Sequence, residues 1–142
     1  MVSINKDFPL KCIDLFAGIG GIRLGFEQAC KDLGYNTECV FTSEIDDWAC
    51  QTYRKNFPND GHDPKSDVTK VDETQLPDFD VLLAGFPCQA FSIAGKRGGF
   101  EDTRGTLFFD VARIIKEKRP KAFLLENVKG LTNHRGGKTL EV

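Results

Sequence analysis

Leu10-Lys11-Cys12-Ile13-Asp14-Leu15-Phe16, then Ala17-Gly18-Ile19-Gly20-Gly21, then Ile22-Arg23-Leu24-Gly25-Phe26-Glu27-Gln28-Ala29-Cys30: this stretch decides the fold. The first part is a mostly apolar run bounded by Pro9 and by glycines, which predicts a strand. Gly18-Ile19-Gly20-Gly21 predicts a tight turn, and Ile22, Phe26 and Ala29 fall on one face of a helix. The same alternation continues downstream. Thr37 to Ser43 reads as a second strand that ends at Glu44, and Asp46 to Asn56 as a helix with Asp46 as N-cap and Phe57-Pro58 closing it. Asn59 to Ser66 reads as loop, and Asp67-Val68-Thr69 as a very short strand or a turn. Phe79 to Ala84 is a further strand, and Phe86 to about Thr103 a long polar loop. Gly105 to Lys118 is a helix striped by Leu107, Val111, Ile114 and Ile115, and Ala122 to Leu125 is a last strand running into Glu126-Asn127-Val128. Strands joined to helices by connections too long for hairpins predict an α/β domain, a doubly wound and mainly parallel sheet. Lys138 to Val142 reads as the first turns of another helix, so the domain over 1–142 is expected to be incomplete at its C-terminus.

The totals bound the function. A chain of 142 residues suits one domain, and no apolar run approaches the roughly 20 residues of a membrane span. Met1 to Asp7 lacks a signal-peptide core, which points to an unexported chain. A net charge of −2 does not by itself suggest a nucleic-acid binder. The charge is unevenly spread, however. Residues 71–142 carry 11 Lys/Arg against 10 Asp/Glu, where residues 1–70 carry 8 against 11, so a local positive face is expected in the second half. For the group from Arg113 to Lys121, a solvated helix surface is the simpler reading. Five cysteines without a CxxC pair or a His at ligand spacing argue for reduced thiols and against a metal site. Cys12, Cys30, Cys39 and Cys50 read as small core residues. His62 and His134 stand in polar loops, are expected to be exposed, and receive no role.

In a parallel sheet, functional groups gather at the carboxyl ends of the strands. The ends here carry the glycine turn, Glu44, Asp67, Pro87-Cys88 and Glu126-Asn127. The glycines allow close backbone approach at a helix start, but Arg23 holds the position where a dinucleotide fingerprint needs its third glycine. A carboxylate such as Glu44 at the next strand end can accept from both hydroxyls of a ribose. Together they suit an adenosine-containing cofactor without a pyrophosphate. Asp67 could accept from an adenine amino group, with Phe16 and Ile45 as apolar walls; a turn-capping aspartate explains it equally well. Gly136-Gly137-Lys138-Thr139 is no phosphate loop, because position 132 is Thr. Pro87 biases Phe86 towards extended structure and presents Cys88 at the crevice mouth, where Lys, Arg or a helix start can favour its thiolate. Glu126 ends another strand and can serve as its proton donor.

Asp14-Leu15-Phe16-Ala17-Gly18-Ile19-Gly20-Gly21, Gly85-Phe86-Pro87-Cys88-Gln89, Arg104-Gly105-Thr106-Leu107-Phe108 and Glu126-Asn127-Val128 occur in that order. In motif, order and spacing the chain resembles the cytosine-5 DNA methyltransferases of bacterial restriction–modification systems. The resemblance implies a Rossmann-like, S-adenosylmethionine-dependent methyltransferase fold. It implies S-adenosyl-L-methionine held by Phe16, Gly18, Gly20, Gly21, Glu44, Ile45, Asp67, Val68, Pro87 and Leu107. Cys88 and Glu126 would be catalytic, and Gln89, Ser92, Lys96 and Arg97 would meet duplex DNA, in a loop whose Gly98 and Gly99 act as hinges. Localisation would be the bacterial cytoplasm, on DNA. The family's catalytic chains are longer. They add a Gln-x-Arg-x-Arg segment, a target-recognition domain and a C-terminal segment that completes the cofactor pocket. This chain therefore corresponds to the N-terminal part of a catalytic domain, to be completed by a second chain if it is one part of a split enzyme. A tRNA cytosine-5 methyltransferase and a non-catalytic remnant that binds S-adenosylmethionine or a partner are the alternatives.

Overall fold

The structure, a computed structural model, describes residues 8–87 and 107–127. Along the chain run β1 (Leu10–Leu15), α1 (Gly21–Asp32), β2 (Thr37–Ser43), α2 (Asp47–Asn56), β3 (Val81–Gly85), α3 (Leu107–Lys118) and β4 (Ala122–Glu126). All three strand pairings are parallel and the sheet order is β2-β1-β3-β4. β1 therefore lies inside the sheet, and both of its faces must be apolar. Its alternation divides the core in two. Ile13 and Leu15 join Leu82, Ala84, Val111 and Ile114 on the side covered by α3. Cys12 joins Leu83, Cys30 and Cys39, with Ile22 and Phe26 of α1 packed against them. Helices on opposite faces make the sheet doubly wound, as expected. Each fully buried leucine among these contributes roughly 2–3 kcal/mol. Cys12, Cys30, Cys39 and Cys50 are all free and buried, as small core residues should be.

α2 begins where the sequence places it: Asp46 is extended and its side chain accepts from Ala49 N–H at 2.7 Å. One boundary differs. β3 starts at Val81 rather than Phe79, because Phe79 is buried in the core and the Asp80 carboxylate accepts from Lys11 N–H at 3.0 Å. After Asp67 the chain takes the second of the two expected forms, a 3-10 turn (Val68–Lys70), and a further such turn at Glu73–Gln75 is not foreseen by periodicity. Both are capped by an aspartate, Asp67 onto Thr69 and Asp72 onto Thr74. The predicted loop beyond Pro87, the first residues of the helix at Gly105 and the expected helix at Lys138–Val142 lie outside the described residues.

The cations of α3 face acidic neighbours. The Arg113 guanidinium donates to the Val68 and Val71 carbonyls and pairs with Asp110 and Glu73; Lys118 and Lys121 pair with Asp78 and Asp80. Arg113 thus fastens α3 to the turns that follow Asp67. β4, in contrast, is an edge strand among the described residues, with Phe123 56% and Leu124 51% exposed. A groove lined by Ile22, Gly25 and Phe26 of α1 and by Leu124 stays open beside it. Among the described residues no helix is long and apolar enough to cross a membrane.

Candidate active site

β1 ends in a strained exit. Phe16 takes a positive φ of 54°, and Gly18 and Gly20 follow at 55° and 89°. The left-handed region costs a side-chain-bearing residue about 1–2 kcal/mol, so glycine is the residue this turn requires. At Gly20 there is a second reason: a Cβ would lie 2.2 Å from the Phe57 ring. Gly18 and Gly21, on the other hand, face open space, with nothing within 4 Å of a Cβ. That open cradle at the start of a helix without a side-chain cap can admit a ligand close to the backbone.

Glu44 closes the cradle from the end of β2. One of its oxygens accepts from Gly18 N–H at 2.7 Å, and the other from Ile45 and Asp46 N–H, each at 2.8 Å. A carboxylate offers about four acceptor sites, so roughly one is left. Both hydroxyls of a ribose can bind only if a ligand displaces the Gly18 N–H. Ile45 is exposed beside it, as an apolar wall should be. The segment after β2 folds back along it: Glu44 N–H donates to Pro64 O, Ser66 N–H to Glu44 O, and Ser43 Oγ to Ser66 O. This carries Asp67 and Val68 to the same end of the sheet. Asp67 accepts from Thr69 N–H and Oγ at 3.0 and 2.7 Å, and those bonds hold its carboxyl below the usual range. The turn-capping role is thus filled in the structure. Val68 is buried, so only its neighbours front the crevice.

The exits of β3 and β4 meet in register. Gly85 pairs with Glu126, and a Cβ at Gly85 would approach Ile22 Cδ1 at 2.9 Å and Glu126 Oε2 at 3.5 Å. Gly85 therefore has to be small, because α1 and the Glu126 carboxylate converge on it. Phe86 is buried and its ring lies 5.7 Å from that of Phe108, while Asn127 Nδ2 donates to Phe86 O at 3.1 Å. These contacts aim the backbone at Pro87 from the same end of the sheet as the glycine turn. Leu107 begins α3 and packs on the core side of the sheet together with Phe16. Cys88, the nucleophile expected from the sequence, lies outside the described residues, as do Gln89, Ser92, Lys96 and Arg97.

Behind the turn lies a buried polar network that sequence reading did not assemble. Arg23 is 5% exposed; it donates to Tyr53 OH at 3.0 Å, to both oxygens of Asp60 and to Glu27, and its guanidinium stands 3.8 Å over the Phe57 ring. Burial works against its charge, but the bonds to Asp60 and Tyr53 outweigh it and keep Arg23 firmly protonated. Tyr53 OH donates in turn to Asp14 at 3.2 Å. Burial pushes the Asp14 carboxyl up to about 7, with the Tyr53 bond pulling partly back. His62 corrects the sequence reading: it is partly buried, and its Nε2 lies 2.8 Å from Thr42 Oγ1, because the loop folds back over β2. Two signals stood in the sequence, a charged residue inside an apolar strand at Asp14 and an arginine at a glycine position at Arg23. Among the described residues no cluster of His, Cys, Asp and Glu is arranged to hold a metal.

A parallel doubly wound sheet with a glycine turn after its first strand, an acid after the second and a glutamate at the end of β4 beside the exit of β3 is the Rossmann-like methyltransferase fold. A DNMT2 mutant from Spodoptera frugiperda shares it at a TM-score of 0.64 and 27% identity, over 89% of this chain and 38% of that one. The family model for C-5 cytosine-specific DNA methylase matches residues 10–142, and the chain belongs to that family. Type II methyltransferase M1.ScrFI of Lactococcus lactis subsp. cremoris is 62% identical over 96% of this chain and 33% of its own length. Type II methyltransferase M.NgoBV of Neisseria gonorrhoeae is 62% identical over 88% of this chain and 29% of its own. The chain thus spans about a third of the length of the curated relatives it matches.

Proposed function

We propose that this chain provides the cofactor cradle and the nucleophile of a DNA cytosine-5 methyltransferase acting in the bacterial cytoplasm. The pairing of Gly85 with Glu126, directly before Pro87-Cys88, supports this reading best. It sets a carboxyl group beside the strand that leads to a thiol, at the sheet end where the glycine turn and Glu44 lie. S-adenosyl-L-methionine fits the open faces of Gly18 and Gly21 and the remaining acceptor capacity of Glu44, with Phe16, Ile45 and Leu107 at the margins. When bound, it supplies an electrophilic methyl group.

The chain's own residues prepare the acceptor. A target cytosine has to leave the duplex stack, since C5 and C6 cannot be reached inside it. The Cys88 thiolate adds to C6, while Glu126 hydrogen-bonds N3 and offsets the charge building on the ring. C5 becomes nucleophilic and takes the methyl group; loss of the C5 proton then expels the thiol and restores the ring. Gln89, Ser92, Lys96 and Arg97 would hold the DNA backbone around the flipped base. A second chain or a further segment would supply the recognition of sequence.

The test is covalent trapping on duplex DNA carrying 5-fluorocytosine, with the complementing segment present. Cys88→Ser is expected to abolish the adduct, and Glu126→Gln to lower its rate by about 10²-fold or more. Absence of any adduct with the unaltered thiol would overturn the reading. Preferential methylation of tRNA would redirect it, and cofactor binding without transfer would reduce the chain to a binding module.

A further inference from the structure

We infer that Asn56, the last residue of α2, is the positioning residue that sets the glycine turn in its ligand-accepting shape. The inference rests on the reading of that turn as an adenosyl-cofactor cradle. One peptide plane carries the argument. The Ile19 carbonyl accepts from Asn56 Nδ2 at 2.8 Å, and the N–H of the same peptide, on Gly20, donates to Ala17 O at 2.8 Å. Gly20 then sits at φ 89°, and its own carbonyl accepts the first bond of α1, from Leu24 N–H at 2.9 Å.

A glycine alone does not choose this state, because it visits positive and negative φ about equally. Flipping the Ile19–Gly20 peptide would cost the Gly20 residue little, and would turn the amide and carbonyl of the cradle the other way. The Asn56 amide holds the carbonyl side of this peptide as Ala17 O holds its N–H side, and together they make one orientation favourable. Phe57 closes the space beside Gly20, and Arg23, locked on Asp60, lies over the Phe57 ring. The end of α2 is therefore a template against which the turn is moulded. Packing does not ask for an asparagine here, since Asn56 is exposed. Its side-chain amide instead reaches 37 residues back to the turn.

The experiment compares the 142-residue chain with Asn56→Ala, with Asn56→Asp and with Lys55→Ala on the same exposed helix. Calorimetric titration with S-adenosylhomocysteine is expected to show about fivefold weaker binding for Asn56→Ala, or ~1 kcal/mol, with the unfolding midpoint unchanged. Asn56→Asp keeps the shape but loses the donor, and should bind no better than the alanine variant. Lys55→Ala should bind like the parent. Amide exchange in the ligand-free chain gives an independent readout: Gly20 N–H should exchange faster in both Asn56 variants, while amides of the β1 interior do not. Unaltered exchange at Gly20, or binding that weakens only in step with lost stability, overturns the inference. If the parent fails to bind the probe even with the complementing segment present while Gly20 still exchanges faster, the cofactor reading of the turn fails and the positioning role stands.

Discussion

The exits of β1 and β2 and the exits of β3 and β4 belong to the same sheet end and are built in different ways. At the first pair every group is held by others. Glu44 carries three backbone N–H groups, Asn56 and Ala17 fix one peptide, and Phe57 walls the turn, all backed by Arg23, Asp60, Tyr53 and Asp14. At the second pair the key carboxylate, Glu126, ends a strand that is an edge among the described residues and is exposed, with Leu124 bare on the neighbouring face. The difference teaches that the glycine turn takes its shape from groups that distant parts of the described chain bring to it. The β4 side, by contrast, leaves Phe123 and Leu124 exposed beside an open groove.

Three changes test that contrast, in falling order of effect. Gly20→Ala strikes the rigid side. It combines a left-handed residue with a clash on Phe57, and should cost about 3–5 kcal/mol in chemical denaturation. A loss below 1 kcal/mol would show the turn to be soft. Asp14→Asn probes the network behind it. A carboxyl raised from 3.8 to about 7 holds its proton in the folded chain after the unfolded chain has released it. Wild-type stability should therefore fall relative to Asp14→Asn as pH rises from about 4 to about 7, and level off above. The full shift corresponds to about 4 kcal/mol, and relaxation around a buried charge reduces it to roughly 2. A stability difference independent of pH over that range would remove the buried neutral acid from the description.

The smallest effect belongs to the open side. Leu124→Ser should alter stability by no more than ~0.5 kcal/mol, since the side chain is already half exposed. It should nonetheless reduce concentration-dependent association seen by light scattering, because the groove beside α1 loses an apolar wall. A large loss of stability would mean that the face is covered within the chain itself.

Much of this was legible in the residues. Short runs of strand-forming residues bounded by turn residues placed β1, β2 and β4 to within a residue or two, and Asp46 announced the start of α2. β3 was read two residues early, since an apolar Phe79 that enters the core from a bend looks the same as one that enters from a strand. The glycine turn, Glu44, Pro87 and Glu126 were all found at strand ends, where a parallel sheet must gather them. Asp67 remained ambiguous until its bonds to Thr69 were visible. Asn56, Asp60 and His62 were not found at all. Each acts across 20 or more residues, on Ile19, Arg23 and Thr42, and no local pattern marks such a partner.

The sequence by itself determined the order of elements, the family and the chemistry offered at each strand end. Those depend on local periodicity and on residue types at fixed spacing. Only the tertiary structure decided that Glu44 spends most of its acceptors on backbone, that burial in a polar network raises the Asp14 carboxyl, and that α2 moulds the glycine turn. Hydrogen-bond capacity, burial and a peptide's orientation depend on which distant groups meet, and folding alone brings them together.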